Sequence, residues 1–187
     1  MSNHARGLWG YSGITPSGHE ITIQATGMGG PSAAIVLSDL AKLGMRRGVR
    51  VGTCTARDPA IQIGDLLLVE AAIATGGSSP AFGVEAGESV SPDAGLTSRL
   101  RGVLANVIET TVASIDSTPE DLARVPAAAN ALDMQTVATF GRAQGLGIEI
   151  AGLLIVTEDA RAKHLPQPDL EAAAKVAGSA AAAVLST

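Results

Sequence analysis

The chain has 187 residues, of which 46% are apolar, 17% charged and only 2% aromatic, with a formal net charge of −5. That length suits one domain able to bury a core of its own. A mean hydropathy of +0.28 together with net acidity excludes a disordered tail and a polybasic nucleic-acid binder. Four aromatic residues, Trp9, Tyr11, Phe82 and Phe140, exclude a stacking platform for single strands and leave the core to Ala, Val, Leu and Ile. A single cysteine, Cys54, cannot form an intrachain disulfide, and the three scattered histidines offer no metal-ligand spacing. There is no apolar stretch of signal-peptide or membrane-spanning character, so the chain is expected in the cytoplasm, away from membranes.

In chain order, residues 21–25 alternate and are β-branched, which predicts a strand. Glycines at 27, 29 and 30 break it, and Pro31 suits the first turn of a helix over residues 33–43, closed by Gly44. Val49-Arg50-Val51 reads as a short strand and residues 65–73 as a third. This strand, glycine turn, helix, strand order is that of a βαβ unit in a mostly parallel sheet. Residues 75–95, rich in Gly, Ser and Pro, read as a long loop. A helix over 97–104, a strand over 108–113 and a second loop over 119–126 follow. Next come a helix over 129–144 ended by Gly145, an apolar strand over 148–156 and an alanine-rich helix from Pro168 onward. The fold class is α/β, with one domain over residues 1–187 and a mixed, twisted sheet flanked by helices.

Four segments carry the residue types that chemistry needs. The turn Thr26-Gly27-Met28-Gly29-Gly30-Pro31-Ser32 brings backbone close to a ligand at a helix N-terminus, or serves tight packing alone. In Arg50-Val51-Gly52-Thr53-Cys54-Thr55, an arginine inside an apolar strand needs an anion. That anion is either a bound oxyanion, held with Thr53, or a structural carboxylate such as Asp65. Asp133-Met134-Gln135 stands at a helix start, where Asp133 suits a cap and Met134 suits core packing. Glu158 and Asp159 follow a buried strand; one of them can face a site as a general acid or base, or both can be solvated turn residues.

Taken in order, these segments resemble the nucleoside phosphorylase family that includes uridine phosphorylase, hexameric purine nucleoside phosphorylase and the nucleosidases. Thr26 to Ser32 is similar to that family's strand-to-helix signature, Arg50-Val-Gly-Thr to its Arg-x-Gly-Thr strand end, and Ile63-Gly-Asp to its Ile-Gly-Asp turn. Asp133-Met134-Gln135 falls at the family's Glu-Met-Glu, and Val156-Thr157-Glu158 at its Val-Ser-Asp. The resemblance implies cleavage of a nucleoside's N-glycosidic bond with inorganic phosphate as co-substrate and no metal or other cofactor. Arg50 and Thr53 would hold the phosphate, and Met28, Met134 and Gln135 the pentose. Cys54 and Thr55 would flank the nucleoside, and Glu158 or Asp159 would protonate the leaving base. A homo-oligomer (dimer, trimer or hexamer) is expected, binding small nucleosides rather than nucleic acid. A hydrolytic nucleosidase and a non-catalytic ligand-binding subunit are the alternatives. The family's opening Gly-Asp-Pro-x-Arg strand has no counterpart before Trp9, so part of the sheet is expected to lie exposed.

Overall fold

The most apolar segment of the chain forms its central strand. In the computed structural model, which describes residues 7–15, 17–117, 125–159 and 161–187, seven consecutive residues from Ile150 to Val156 are buried. They belong to Glu149–Glu158, the last of the eight strands among the described residues. Burial on both faces explains the continuous run, because a half-exposed strand would alternate.

The elements are β1 (Gly10–Ile14), β2 (Glu20–Gln24), α1 (Gly30–Lys42), β3 (Arg47–Ala56), β4 (Leu66–Ala74), β5 (Ser89–Val90) and α2 (Ala94–Val103). They continue with β6 (Ile108–Ser114), β7 (Ala131–Asp133), α3 (Thr136–Leu146), β8 (Glu149–Glu158) and α4 (Gln167–Leu185). β1 and β2 form an antiparallel hairpin of their own. In the main sheet the order is β5-β4-β6-β7-β3-β8, and β4 also pairs antiparallel with β8 through Leu66, Leu67 and Leu68. Strands β4, β6, β7, β3 and β8 therefore close into a ring.

Side-chain alternation divides the core. Leu67 and Val69 of β4 and Leu154 and Val156 of β8 meet Leu37 of α1 and Val137 and Phe140 of α3. Leu68 and Leu153 point the opposite way, onto Leu96 and Leu100 of α2 and Ala177, Ala180 and Val184 of α4. Phe140 is the largest fully buried side chain and fits because its neighbour in β8 is a glycine: a Cβ at Gly152 would lie 3.0 Å from Phe140 Cζ. The low aromatic content thus concentrates core volume at one ring.

Several elements differ from expectation. The strand expected at 49–51 runs over all of Arg47–Ala56, because β8 supports it through nine register pairs. The helix expected from residue 129 starts at Thr136, since residues 131–133 are drawn into the sheet between β6 and β3. Gly145 lies inside that helix, and Gly147, at φ +66°, ends it. Residues 75–95 contain a short 3-10 turn and β5 rather than an unbroken loop, and β1 was not expected at all. Of the loop expected over 119–126, residues up to 124 lie outside the described part.

Candidate functional site

The glycine turn supplies one wall. Gly27 and Gly29 have φ of +73° and +79°, conformations that a side chain would strain, and Pro31 opens α1. The turn is tied down locally, because Ser32 Oγ donates to the Thr26 carbonyl at 2.6 Å. Gly30 permits close approach of α1 to α3: a Cβ there would sit 3.0 Å from Ala138 Cβ.

Opposite the turn, β7 runs into α3. The Asp133 carboxylate is fully buried and accepts hydrogen bonds from the backbone N–H of Gln135 and Thr136, from Thr136 Oγ1 at 2.7 Å and from Ser114 Oγ at 2.5 Å. It thereby satisfies orphan donors at the start of α3, as a capping side chain does, from a position two residues before the helix-capping Gln135. Its remaining partner is Arg50, whose Nη2 lies 2.6 Å from Asp133 Oδ2. The structural carboxylate of the sequence reading is therefore Asp133 and not Asp65; Asp65 accepts from the Gln62 N–H at 2.7 Å in its own turn.

Arg50 is held on three sides. Its Nε donates to Thr136 Oγ1 at 3.2 Å and its Nη1 to Gln135 Oε1 at 3.0 Å, beside the pair with Asp133. A guanidinium carries five N–H donors, so one on each Nη remains available for a further acceptor. Gln135 continues the network: its amide nitrogen donates to the Gly27 carbonyl at 2.6 Å, and its oxygen also accepts from Thr26 Oγ1 at 3.0 Å. A glutamine can stitch turn to helix in this way because it has both a donor and an acceptor. A carboxylate there would set an oxygen against the Gly27 carbonyl.

These walls enclose a cavity of about 460 Å³. Of the residues singled out from sequence, Met28, Arg50, Thr53, Cys54, Thr55, Met134 and Gln135 all line it. Met28 is 82% exposed, a flexible apolar side chain in the lining that is open to solvent. Cys54 is buried, with Sγ 3.6 Å from the Ile155 carbonyl, and desolvation first, then the Asp133 charge, push its thiol pKa far up. Glu158 and Asp159 are not in the lining, although Thr157 is. Glu158 bridges by backbone to His164, its Oε2 4.0 Å from His164 Nδ1. Asp159 accepts from the backbone N–H of Arg161 and Lys163, which lowers its pKa. Ile115 and Ser117, just past β6, also line the cavity and were missed, since nothing local marks the end of a strand as part of a site. Among the described residues no group of three His, Cys, Asp or Glu is placed to hold a metal ion.

The fold is α/β, a mixed sheet with helices packed on it and a cavity beside the ends of its strands. Residues 3–187 match the Phosphorylase superfamily, and the chain belongs to that family. It is 42% identical over 66 residues to uridine phosphorylase of Haemophilus influenzae, covering 35% of this chain and 26% of that protein. It is 42% identical over 65 residues to uridine phosphorylase of Thermococcus kodakarensis, covering 35% and 24%. To the DeoD-type purine nucleoside phosphorylase of Geobacillus kaustophilus it is 39% identical over 71 residues, covering 37% and 30%. The matched stretch thus spans 24% to 30% of these relatives' length.

Proposed function

We propose that this protein is a pentosyltransferase that cleaves a nucleoside's N-glycosidic bond with phosphate as acceptor. The observation that carries the reading is the convergence, in one cavity, of a cation with unused donors and the small polar and thioether side chains of three distant segments. Phosphate would take the two free Arg50 N–H groups in a paired contact and the Thr53 hydroxyl. An oxygen of that phosphate bonds to C1′ as the C1′–N bond breaks, and the electron pair leaves with the base. Positive charge building on the sugar is stabilised by the anion beside it, which is why the site needs a phosphate held in place.

Met28 and Met134 would pack on the pentose, with Gln135 beside it exchanging one of its contacts to the glycine turn for a hydroxyl, and Cys54 and Thr55 would lie beside the nucleoside. Protonation of the leaving base falls to Glu158 in preference to Asp159. Glu158 ends β8 next to the cavity-lining Thr157, its Oε2 4.0 Å from His164 Nδ1, and would turn toward the cavity to act, whereas the Asp159 carboxylate is committed to its own turn. Hydrolysis is the second reading, favoured by the Asp133 carboxylate, which already neutralises Arg50 and weakens the pull on an incoming anion. A homo-oligomer is part of the proposal through the family.

Incubation with uridine and inosine, with and without phosphate, tests the reading by chromatography of released base. Release that requires phosphate and falls at least tenfold in Thr53→Val supports phosphorolysis. Equal release without phosphate supports hydrolysis, and no release from either nucleoside overturns both.

A further inference from the structure

Gln135 is only 6% exposed, and every hydrogen-bonding capacity of its side chain is already used inside the protein. A side-chain amide has two N–H donors and an oxygen with two lone pairs. The Nε2 donors go to the Gly27 carbonyl at 2.6 Å and, in a longer contact of 3.4 Å, to the Gly29 carbonyl. The Oε1 lone pairs accept from Thr26 Oγ1 and from Arg50 Nη1, each at 3.0 Å. The partners fix which end is oxygen, because a carbonyl only accepts and a guanidinium only donates. Gln135 nevertheless lines the cavity, as do Thr26, Gly27, Gly29 and Arg50. A sugar hydroxyl that reaches it must displace one internal hydrogen bond to make another, an exchange with little net free energy. The converse case decides selectivity. A site built to bond a hydroxyl rejects an analogue lacking it because the site's own polar groups are then left unpaired. Here nothing is left unpaired when the hydroxyl is missing, since Gln135 keeps the partners it already has.

We propose that Gln135 makes the site indifferent to the sugar hydroxyls, so that 2′-deoxy- and 2′,3′-dideoxynucleosides are bound and cleaved on a par with ribonucleosides. The inference rests on the reading of the cavity as a nucleoside site and extends it to the class of sugar. Pentose binding then comes from the thioether side chains of Met28 and Met134, which pack on the ring and read its shape. A single change in the protein converts the site into a selective one. Thr26→Val has nearly the same shape, leaves the Thr26 carbonyl to keep its bond from Ser32 Oγ, and empties one lone pair on Gln135 Oε1. That vacancy opens where both residues line the cavity. A hydroxylated sugar fills it; a dideoxy sugar leaves it unpaired.

The test is calorimetric titration, without phosphate, of the protein and of Thr26→Val. The ligands are uridine and inosine, each also in its 2′-deoxy and 2′,3′-dideoxy form. For the unaltered protein, the three dissociation constants of whichever base series binds are expected to agree within about threefold. In Thr26→Val the dideoxynucleoside is expected to bind at least about fivefold more weakly than the ribonucleoside. Loosened packing would weaken all three alike and leave that ratio unmoved. A dideoxynucleoside bound tenfold or more weakly than its parent by the unaltered protein overturns the inference, whether or not Thr26→Val folds. So does an unchanged ratio in a folded Thr26→Val. Equal binding of the three sugars with no release of base when phosphate is added overturns the proposed reaction and leaves the inference standing. Binding of neither series overturns both.

Discussion

Arg50 and Asp133 hold each other in place, with 10% and 0% of their side chains exposed. Removing one partner of a buried pair leaves an uncompensated charge, at a cost of about 3–5 kcal/mol. Arg50→Met is therefore expected to lower the thermal midpoint sharply, and calorimetry checks it. Adding Asp133→Leu should not restore stability, because Ser114 Oγ and the amides of Gln135 and Thr136 then lose their acceptor. This is why Thr53→Val, outside that network of hydrogen bonds, is the cleaner probe of chemistry. Cys54 gives a second residue-scale test. Burial raises its pKa, so the thiol stays protonated in the folded protein while an unfolded cysteine ionises near pH 8.5. The contribution of Cys54 to stability is then full below about pH 8.5 and declines as pH rises above it. Ellman's reagent at pH 8 should label Cys54 only after denaturant is added.

At the scale of elements, packing rests on places where glycine admits a neighbour. At Gly152 a Cβ would meet Phe140 Cζ at 3.0 Å and a Val69 methyl at 3.4 Å. Gly152→Ala is expected to destabilise by about 1–3 kcal/mol through overpacking, measured as a shift in the urea midpoint. The turn after β8 responds to acid. Asp159 has its pKa lowered by two backbone N–H donors, so its contribution is present above the ordinary carboxylate range and lost as pH falls through the lowered value. Amide-exchange protection factors at Arg161 and Lys163 should fall at that low pH, and in Asp159→Ala at any pH.

Most elements were legible because their signals are local. Pro31 after a glycine run marks α1, and the apolar run at 150–156 marks β8. β7 was not, because its three residues take their strand form only from β3 and β6, each far away in sequence. β1 has no local signal either: four of its five residues are exposed, which leaves no apolar alternation to read. In the site, the residue types of the lining were legible but their pairing was not. Asp65 is 15 positions from Arg50 and Asp133 is 83, and the sheet, not the sequence distance, chose between them.

At the scale of the whole molecule, strands β4, β6, β7, β3 and β8 form a closed ring. The β4–β8 pairing removes an edge on one side, while among the described strands β2 pairs only with β1 and the first half of β3 only with β8. Helices cover both faces of the sheet, and among the described residues none is long and apolar enough to cross a membrane. The candidate site lies between the ring and the glycine turn after β2, with Thr26, Arg50 and Val51 in its lining. The central claim is that phosphate, not water, takes the sugar. Phosphorus-31 NMR of the protein with a nucleoside and inorganic phosphate reads this directly. A new phosphate-ester resonance that grows in step with free base is the predicted result. Base appearing with free pentose and an unchanged phosphate resonance would contradict it.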